Sequence, residues 1–276
     1  MSPGAPELSL ELRDLALAVA REAVALARSM RAGGIDVADT KSSAVDVVTE
    51  ADRSCEALIR RRILAARPDD AILGEEGDDH PGTSTVRWIV DPIDGTVNYL
   101  YGLPDWAVSL AAEVDGEVAA GVVVNGSSGV EYAAARGAGA TRDGRPIAVR
   151  PTTPPLAERL VLTGFGYRAE VRAHQGACVA ALLPHVRDVR RMGSCALDLC
   201  HVADGSGDAY VEEGPAPWDY SAGALVLTEA GGRFGVLTGR LAEVVPGSEP
   251  RALVTGTPAA GWDSFVDALR EAGFLA

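Results

Sequence analysis

Apolar residues recur every three or four positions near the start of the chain, and this spacing predicts an amphipathic helix over residues 6–31. Gly33 follows that helix and is expected to end it. A second helix is predicted over residues 50–66, because Pro68 disfavours helical backbone angles in the residue before it. Between the two helices, residues 43–49 are predicted to form a turn or a short extended segment.

Short apolar runs after the second helix predict strands at residues 72–74 and 86–91, and both strands end at acidic side chains. Further along, dipeptides typical of hairpin turns separate β-branched runs, which predicts antiparallel strands. These dipeptides are Asp115-Gly116, Asn125-Gly126 and Asp143-Gly144.

After Pro154 and Pro155 the pattern changes to alternating strands and helices. The predicted strands are 160–162, 189–192, 209–211, 233–236 and 252–254, and the predicted helices are 169–183, 196–203, 220–230 and 262–272. We therefore expect a mostly antiparallel α+β lobe over residues 1–152 and a mixed α/β lobe over residues 153–276. Together they would form one continuous domain over about 6–272.

Composition narrows the class of protein. Of the 276 residues, 47% are hydrophobic, but no uncharged apolar run reaches the length of a membrane span, and the N-terminus lacks the basic region of a secretory signal. The four cysteines form no Cys-x-x-Cys pair, so buried reduced thiols and a cytoplasmic location are predicted. The net charge of −14 argues against a nucleic-acid partner.

The segment from Asp91 to Asn98 reads DPIDGTVN and directly follows a predicted strand. Asp91 and Asp94 would repel each other if both were ionised and dry, so a positive charge is expected between them. Mg²⁺ suits this place because it takes carboxylate oxygens while keeping water and phosphate as its other ligands. The alternative is an ordinary surface turn capped by Asp94.

Three other acidic segments are ordinary when each is considered alone. Asp52 would lie in the first turn of a helix, Glu75 and Glu76 would form a solvated loop, and Asp219 would cap the helix that follows it. One basic residue is unusual, because Lys41 is the single lysine among 25 lysines and arginines.

Taken together, these segments resemble the inositol monophosphatase family of lithium-sensitive, magnesium-dependent phosphatases. The matching strings are VVTEAD from Val47, GEE from Gly74, DPIDGTVN from Asp91 and WDxxAG from Trp218, and they occur in the family's order. The resemblance covers roughly residues 10–270. It implies the layered α-β-α-β-α sandwich shared with fructose-1,6-bisphosphatase, and a homodimer.

The resemblance also assigns roles to residues. A first Mg²⁺ would be held by Glu75, Asp91 and the backbone carbonyl of Ile93, and a second by Asp91, Asp94 and Asp219. A third, looser ion would be held by Glu75 and water. Thr96 and Asp52 would orient the attacking water with Glu75, making Glu75, Thr96 and Asp52 the catalytic residues.

The remaining roles concern phosphate and the leaving alcohol. The backbone amides of Gly95 and Thr96 would bind the phosphate at a helix start. The substrate pocket would be formed by Asp94, Ser194, Cys195, Ala196, Glu212 and Asp219. Lys41, Asp46 and Glu76 would support the site. The implied substrate is a small phosphorylated polyol, namely inositol monophosphate, cleaved by metal-activated water.

Several alternatives stay open. Glu213 and Ser221 depart from the commoner family pattern, which leaves room for a different polyol. Histidinol phosphate ranks second, because its amine could pair with Glu212 and Glu213. Fructose 1,6-bisphosphate is a further candidate, and 3′-phosphoadenosine 5′-phosphate ranks lower, because no motif suggests a base platform or a second phosphate site. A different class would be a non-catalytic metal- or phosphate-binding regulatory protein.

Overall fold

The computed structural model describes residues 5–33, 37–40, 47–245 and 251–275. Two predicted supporting residues, Lys41 and Asp46, therefore lie outside the described residues. The described chain begins with helix α1 (Ala5–Ala32), a two-stranded ribbon of β1 (Val37–Thr40) and β2 (Val47–Thr49), and helix α2 (Glu50–Ala66). Both predicted helices are confirmed to within one residue at each end.

A seven-stranded sheet follows, with the strands side by side in chain order. Its strands are β3 (Ala71–Gly74), β4 (Val86–Asp94), β5 (Ala107–Val114), β6 (Glu117–Asn125), β7 (Glu131–Ala135), β8 (Ala140–Arg142) and β9 (Arg145–Ile147). Only β3 runs parallel to its neighbour β4, and the other pairs are antiparallel as predicted. Helix α3 (Thr96–Tyr101) lies between β4 and β5 in the chain.

A five-stranded mixed sheet has the order β11-β10-β12-β14-β13. Its strands are β10 (Leu160–Thr163), β11 (Asp188–Arg190), β12 (Ala209–Glu213), β13 (Gly232–Thr238) and β14 (Ala252–Pro258). The helices connecting them are α4 (Ala169–Leu182), α5 (Cys195–Ala203), α6 (Pro217–Glu229) and α7 (Leu241–Val244), and α8 (Trp262–Glu271) closes the chain.

Strand alternation explains the layering, because neighbouring side chains leave a sheet on opposite faces. In β4, Trp88 and Val90 pack against α1 and α2, whereas Ile89 packs in the core that contains α5 and α6. The same central core also holds Leu162 and Val254 from the second sheet, whose other face packs against α4 and α8. The order is therefore helix, sheet, helix, sheet, helix, and the predicted sandwich is confirmed.

Two of the three predicted hairpin turns have the backbone angles expected of them. Asp115 and Asp143 have positive φ angles of 53° and 51°, each followed by a glycine with positive φ. The third turn, at Asn125-Gly126, also separates antiparallel strands, but it lies in a longer loop between β6 and β7. Oδ1 of Asn125 accepts backbone N–H bonds from Ser127 and Ser128, which organises that loop.

The chain leaves the first sheet at Ile147 and enters the second at Leu160, on either side of residue 152. The central core draws on both sheets, and the division into two lobes stays a prediction. All four cysteines are free and buried, as the sequence predicts. Among the described residues, we find no helix with the length and apolar character needed to cross a membrane.

Gly121 provides a test of the packing between the first sheet and α6. A Cβ at Gly121 would lie 2.7 Å from the carbonyl oxygen of Ala222, so a side chain would push α6 from the sheet. We expect Gly121→Ala to lower the free energy of unfolding by about 1–3 kcal/mol. Gly176→Ala, in open space on α4, should raise it by up to about 1 kcal/mol. Urea unfolding measures both, and equal stabilities would contradict the close approach.

Candidate metal and phosphate site

A β-bulge in β4 places the first two acids. Asp91 pairs with Ser109 and Asp94 pairs with Ala107, so three steps along β4 face two steps along β5. Without the extra residue, side chains three positions apart would point to opposite faces of the sheet. Pro92 lies inside the bulge, where its missing N–H breaks no regular ladder hydrogen bond. The bulge therefore turns both carboxylates toward one site.

The loop after β3 carries Glu75 and is held by a buried glutamate of α2. Glu56 is 2% exposed, and its Oε2 accepts the backbone N–H of Glu76 at 2.8 Å. Its Oε1 accepts Nε of Arg60 at 2.7 Å. A Cβ at Gly74 would lie 2.6 Å from that same Oε1, so glycine lets the loop wrap around the carboxylate.

Helix α6 supplies the third acid. The helix begins at Pro217, three residues earlier than predicted, so the interpretation of Asp219 as a helix cap is wrong. Asp219 lies instead in the first helical turn, where its Oδ2 accepts the backbone N–H of Ala216 at 2.6 Å. This bond anchors one carboxylate oxygen of Asp219 to the start of its own helix.

The three acids converge. Asp91, Asp94 and Asp219 each offer a carboxylate oxygen, and these oxygens all lie within 4.8 Å of one another. Oδ1 of Asp91 accepts the N–H of Ile93 at 3.0 Å, whereas its buried Oδ2 has no hydrogen-bond partner among the described residues. Glu75 lines the same cavity but is not one of the three clustered acids. An all-oxygen donor set with an orphaned buried carboxylate oxygen fits a hard divalent cation.

The electrostatics of this cluster also favour a bound cation. Burial raises the pKa of Asp91 well above its ordinary value, and the charges of Glu75, Asp94 and Asp219 add to the shift. Burial likewise raises the pKa of Asp219, with Asp94 as the largest charge contribution. Burial raises the pKa of Asp94 to about 6, although hydrogen bonds from Ser194 and from the Ala196 N–H oppose the shift. Without a cation, the cluster must hold protons instead.

Asp52 and Thr96 form a hydrogen-bonded unit next to the cluster. Asp52 is buried in the first turn of α2, as predicted, and its Oδ2 accepts both the N–H and the hydroxyl of Thr49. The Thr96 hydroxyl lies 3.2 Å from Oδ1 of Asp52 and 3.1 Å from the carbonyl oxygen of Ile93, which are both acceptors. The Thr96 hydroxyl therefore donates its one proton to one of these two oxygens. Its own oxygen can still accept a hydrogen bond from another donor.

Gly95 allows three backbone segments to meet at the start of α3. Its φ angle is +90°, and a Cβ would lie 2.9 Å from the carbonyl oxygen of Asp105 and 3.0 Å from that of Gly193. Asn98, the last residue of the motif, reinforces the junction, because its Nδ2 donates to the carbonyls of Asp105 and Met192. The first turn of α3 is thus tied to the loop that precedes α5.

Helix α5 reaches the cluster through Asp94. Ser194, the N-cap of α5, donates its hydroxyl to Oδ2 of Asp94 at 2.5 Å, and the N–H of Ala196 donates to the same oxygen at 2.8 Å. Ser194 and Cys195 line the cavity, whereas Ala196 is fully buried and contributes its backbone N–H. Asp94 therefore connects the two halves of the chain.

A cavity of about 410 Å³ extends from the acids toward the second sheet. Glu212 lies on its wall and its Oε2 accepts the hydroxyl of Tyr210 at 2.8 Å. Burial raises the pKa of Glu212 to about 7, against the lowering effect of the Tyr210 hydrogen bond and of Arg191. The next residue, Glu213, is only 2% exposed.

Sequence reasoning missed part of the cavity wall. Arg168, Arg191 and Arg251 line it, as do Phe165 and Tyr167. The sequence showed no motif for a base platform or a second phosphate site, and these residues were not identified. Single arginines and aromatics scattered over three loops carry no local motif, so only their position around the cavity identifies them.

The sequence profile of the inositol monophosphatase family matches residues 9–265. The chain belongs to the inositol monophosphatase family. Inositol-1-monophosphatase SuhB of Mycobacterium tuberculosis is 44% identical over 246 residues, covering 83% of this chain and 85% of the relative. Nus factor SuhB of Xylella fastidiosa is 42% identical over 193 residues, covering 70% of each. Family membership supports a phosphatase that acts on a phosphorylated substrate.

A solved structure shares the fold of this family member. Mycobacterium tuberculosis SuhB superposes with a TM-score of 0.80 at 39% identity, covering 97% of this chain and 98% of that structure. The acids, Thr96 and Gly95 lie around the same cavity. Their catalytic and ligand roles stay predictions.

The raised pKa values predict how stability depends on pH. Folded Asp94, with a pKa of about 6, holds a proton that the unfolded chain has already released above about pH 4. The folded state therefore binds more protons, and the metal-free protein should lose stability as pH rises from about 4 to above 6. Asp91 and Asp219 act in the same direction. Saturating Mg²⁺ should remove this loss.

Melting temperatures in EDTA and in MgCl₂, between about pH 4.5 and about pH 8, measure the effect. Asp219→Asn should weaken both the pH dependence and the stabilisation by Mg²⁺. A metal-free melting temperature that rises throughout this range would contradict the proposed charge cluster.

Proposed function

We propose that this family member is a Mg²⁺-dependent phosphomonoesterase that hydrolyses inositol 1-phosphate to inositol and phosphate. The observation that carries the proposal is the convergence of Asp91, Asp94 and Asp219, with carboxylate oxygens within 4.8 Å, at the end of a cavity that Glu212 also lines. The cavity thus offers a cation-binding end and a hydroxyl-accepting wall.

Asp91, Asp94, Asp219 and Glu75 are the residues that would hold two or three Mg²⁺ ions, with the Ile93 carbonyl as a further oxygen ligand. Bound there, such ions supply an acidified water and neutralise the leaving oxygen. The hydrogen bonds described above leave specific oxygens for this task, because Oδ2 of Asp91 is not used by any described donor. The carboxylates are held in place by Ile93, Ala196 and Ala216 N–H groups.

Thr96 and Asp52 orient the attacking water. The hydroxyl proton of Thr96 is directed to Asp52 or to the Ile93 carbonyl, so the threonine oxygen can accept a hydrogen bond from water. Asp52 is itself held by Thr49 at the helix start. The pair thereby orients the water without Asp52 contacting it, while Glu75 on the facing loop accepts its other proton.

The phosphate group is proposed to bind at the amides of Gly95 and Thr96, at the beginning of α3. The positive φ of Gly95 shapes this turn, and Asn98 ties it to the loop before α5. The leaving alcohol then extends past Ser194 and Cys195 toward Glu212. Glu212 is the hydroxyl acceptor at this wall, fixed by the Tyr210 hydroxyl.

Other readings have less support. Histidinol phosphate was favoured by an acid pair, but Glu212 and Glu213 make separate contacts, with Tyr210 and Leu241 respectively. A relative carries the name Nus factor, which keeps a non-catalytic role in view. Every predicted acid ligand and Thr96 is present in this chain, which favours catalysis. The homodimer, the cytoplasmic location and lithium sensitivity are proposals that rest on the family resemblance.

Asp91→Asn is the sharpest test of the metal-dependent mechanism. Loss of the carboxylate that both metals would share should lower kcat at least about 100-fold at saturating Mg²⁺, with the fold retained. The control is Asp267→Asn, an exposed residue paired with Arg270 on α8, which should leave turnover unchanged. Phosphate release with and without Mg²⁺ is the measurement, and turnover within about tenfold of wild type would contradict the role.

The substrate is tested by a turnover panel. Inositol 1-phosphate, fructose 1,6-bisphosphate, histidinol phosphate and 3′-phosphoadenosine 5′-phosphate are compared at fixed Mg²⁺. We expect kcat/KM for inositol 1-phosphate to exceed the values for the other esters by about 100-fold, because a hydroxyl of inositol then donates a hydrogen bond to the acceptor Glu212. A comparable preference for another ester would replace inositol 1-phosphate as the substrate.

A further inference from the structure

We infer that Glu56 is a positioning residue for the metal site. Together with Arg60 it holds the loop that carries Glu75, and it thereby sets the affinity of the site for Mg²⁺. This inference rests on the proposed function, because it takes Mg²⁺ as the cation that the acids bind. Glu56 lies on α2 and does not line the cavity, so it acts on the site through the loop.

The segment from Gly74 to Gly77 wraps around the side chains of Glu56 and Arg60. A Cβ at Gly74 would lie 2.6 Å from Oε1 of Glu56 and also 2.6 Å from Nη2 of Arg60. A Cβ at Gly77 would lie 2.8 Å and 3.2 Å from the same two atoms. Glycines at both ends of the loop therefore leave room for the two charged side chains.

Both carboxylate oxygens of Glu56 are used. Oε2 accepts the backbone N–H of Glu76 at 2.8 Å, and Oε1 accepts Nε of Arg60 at 2.7 Å. Hydrogen bonds to an ionised group are stronger than those between neutral groups. Arg60 lies one helical turn after Glu56, so it fixes the carboxylate against α2 while the other oxygen holds the loop.

The same face of α2 supports the site at a second point. Asp52 lies four residues before Glu56, and residues at this spacing share one side of a helix. Both carboxylates are buried, and Asp52 accepts the hydroxyl of Thr96. A single helix thus holds the threonine proposed to orient water and the loop that carries Glu75.

The loop places Glu75 beside Asp91. The N–H of Glu75 donates to the carbonyl oxygen of Val90 at 3.2 Å, and Asp91 is the next residue of β4. After burial, the charge of Glu75 makes the largest contribution to the raised pKa of Asp91. Neighbouring carboxylates repel each other when no cation lies between them. The loop must therefore be held against this repulsion before a metal ion binds.

Holding the loop in advance raises the apparent affinity for Mg²⁺. If the ion binds only when Glu75 is in place, the apparent Kd is the intrinsic Kd divided by the fraction of molecules with the loop in place. A loosened loop lowers this fraction, so more Mg²⁺ is needed. At saturating Mg²⁺ the same site is assembled, and turnover recovers.

Glu56→Gln is the test, because glutamine has one acceptor oxygen where glutamate has two. We expect the Kd for Mg²⁺, measured by calorimetry without substrate, to rise about tenfold, while kcat at saturating Mg²⁺ stays within about threefold of wild type. The control is Glu22→Gln, which removes an exposed ion pair between Glu22 and Arg62 of the same helix. The control should change neither quantity.

Arg60→Lys is a milder second variant, which keeps the inference testable if Glu56→Gln does not fold. Lysine keeps a positive charge beside Glu56 but lacks the planar fork of arginine. It therefore leaves empty the space that Nη2 of Arg60 fills between the two glycines. We expect the Kd for Mg²⁺ to rise about threefold, with kcat at saturating Mg²⁺ unchanged.

The outcomes separate positioning of the metal ligand from a general contribution to stability. A lower melting temperature in EDTA with an unchanged Kd for Mg²⁺ would overturn the inference, and so would a kcat that stays low at saturating Mg²⁺. A raised Kd without hydrolysis of inositol 1-phosphate would support the inference and contradict the proposed substrate. Normal hydrolysis with an unchanged Kd in both variants would support the proposed function and overturn the role of Glu56.

Discussion

Mutual repulsion among closely placed carboxylates is the constraint on which the rest of this structure depends. Asp91, Asp94 and Asp219 bring oxygens within 4.8 Å of one another, and Asp91 and Asp94 are buried. Such an arrangement is unfavourable unless protons or cations compensate the charge. A fold that holds these carboxylates together is less stable for it, but the resulting site favours divalent cations. The phosphatase chemistry of the family is consistent with such a site.

Several local features impose this geometry. In each of them, the role of one residue can be understood only from the residues that surround it. The bulge at Pro92 turns two carboxylates to one side, and Glu56 holds the loop that carries Glu75. Gly95 lets the backbones around Asp105 and Gly193 approach the start of α3. These features come from β4, from the outer helix α2 and from the start of α3, so the geometry of the site depends on several parts of the fold at once.

Much of the fold could be predicted because its elements follow local periodicity. Helices α1 and α2 have clear spacing and clear stop signals, and Asp115 and Asp143 form the tight turns expected of Asp-Gly. The details differed where contacts distant in sequence prevailed. The turn at Asn125-Gly126 lies in a longer loop, in which a Cβ at Gly126 would lie 2.1 Å from the ring of Trp106, and α6 begins at Pro217 instead of Tyr220. The intrinsic preference for a turn or a helix depends on a few neighbouring residues. The length of this loop and the start of this helix depend on packing partners elsewhere in the chain.

The sequence alone determined the residue types of the site, because the motif around Asp91 and the segments at Asp52, Glu75 and Asp219 already match one family in order. Local periodicity also determined most of the helices and strands, and the family resemblance implied the sandwich. Only the tertiary structure decided which acids share a cluster, that Glu213 is buried against Leu241 rather than solvated, and that Arg168, Arg191 and Arg251 line the cavity. The physical reason is that distances between remote segments, and the burial that follows from them, are properties of packing and leave no local pattern in the chain.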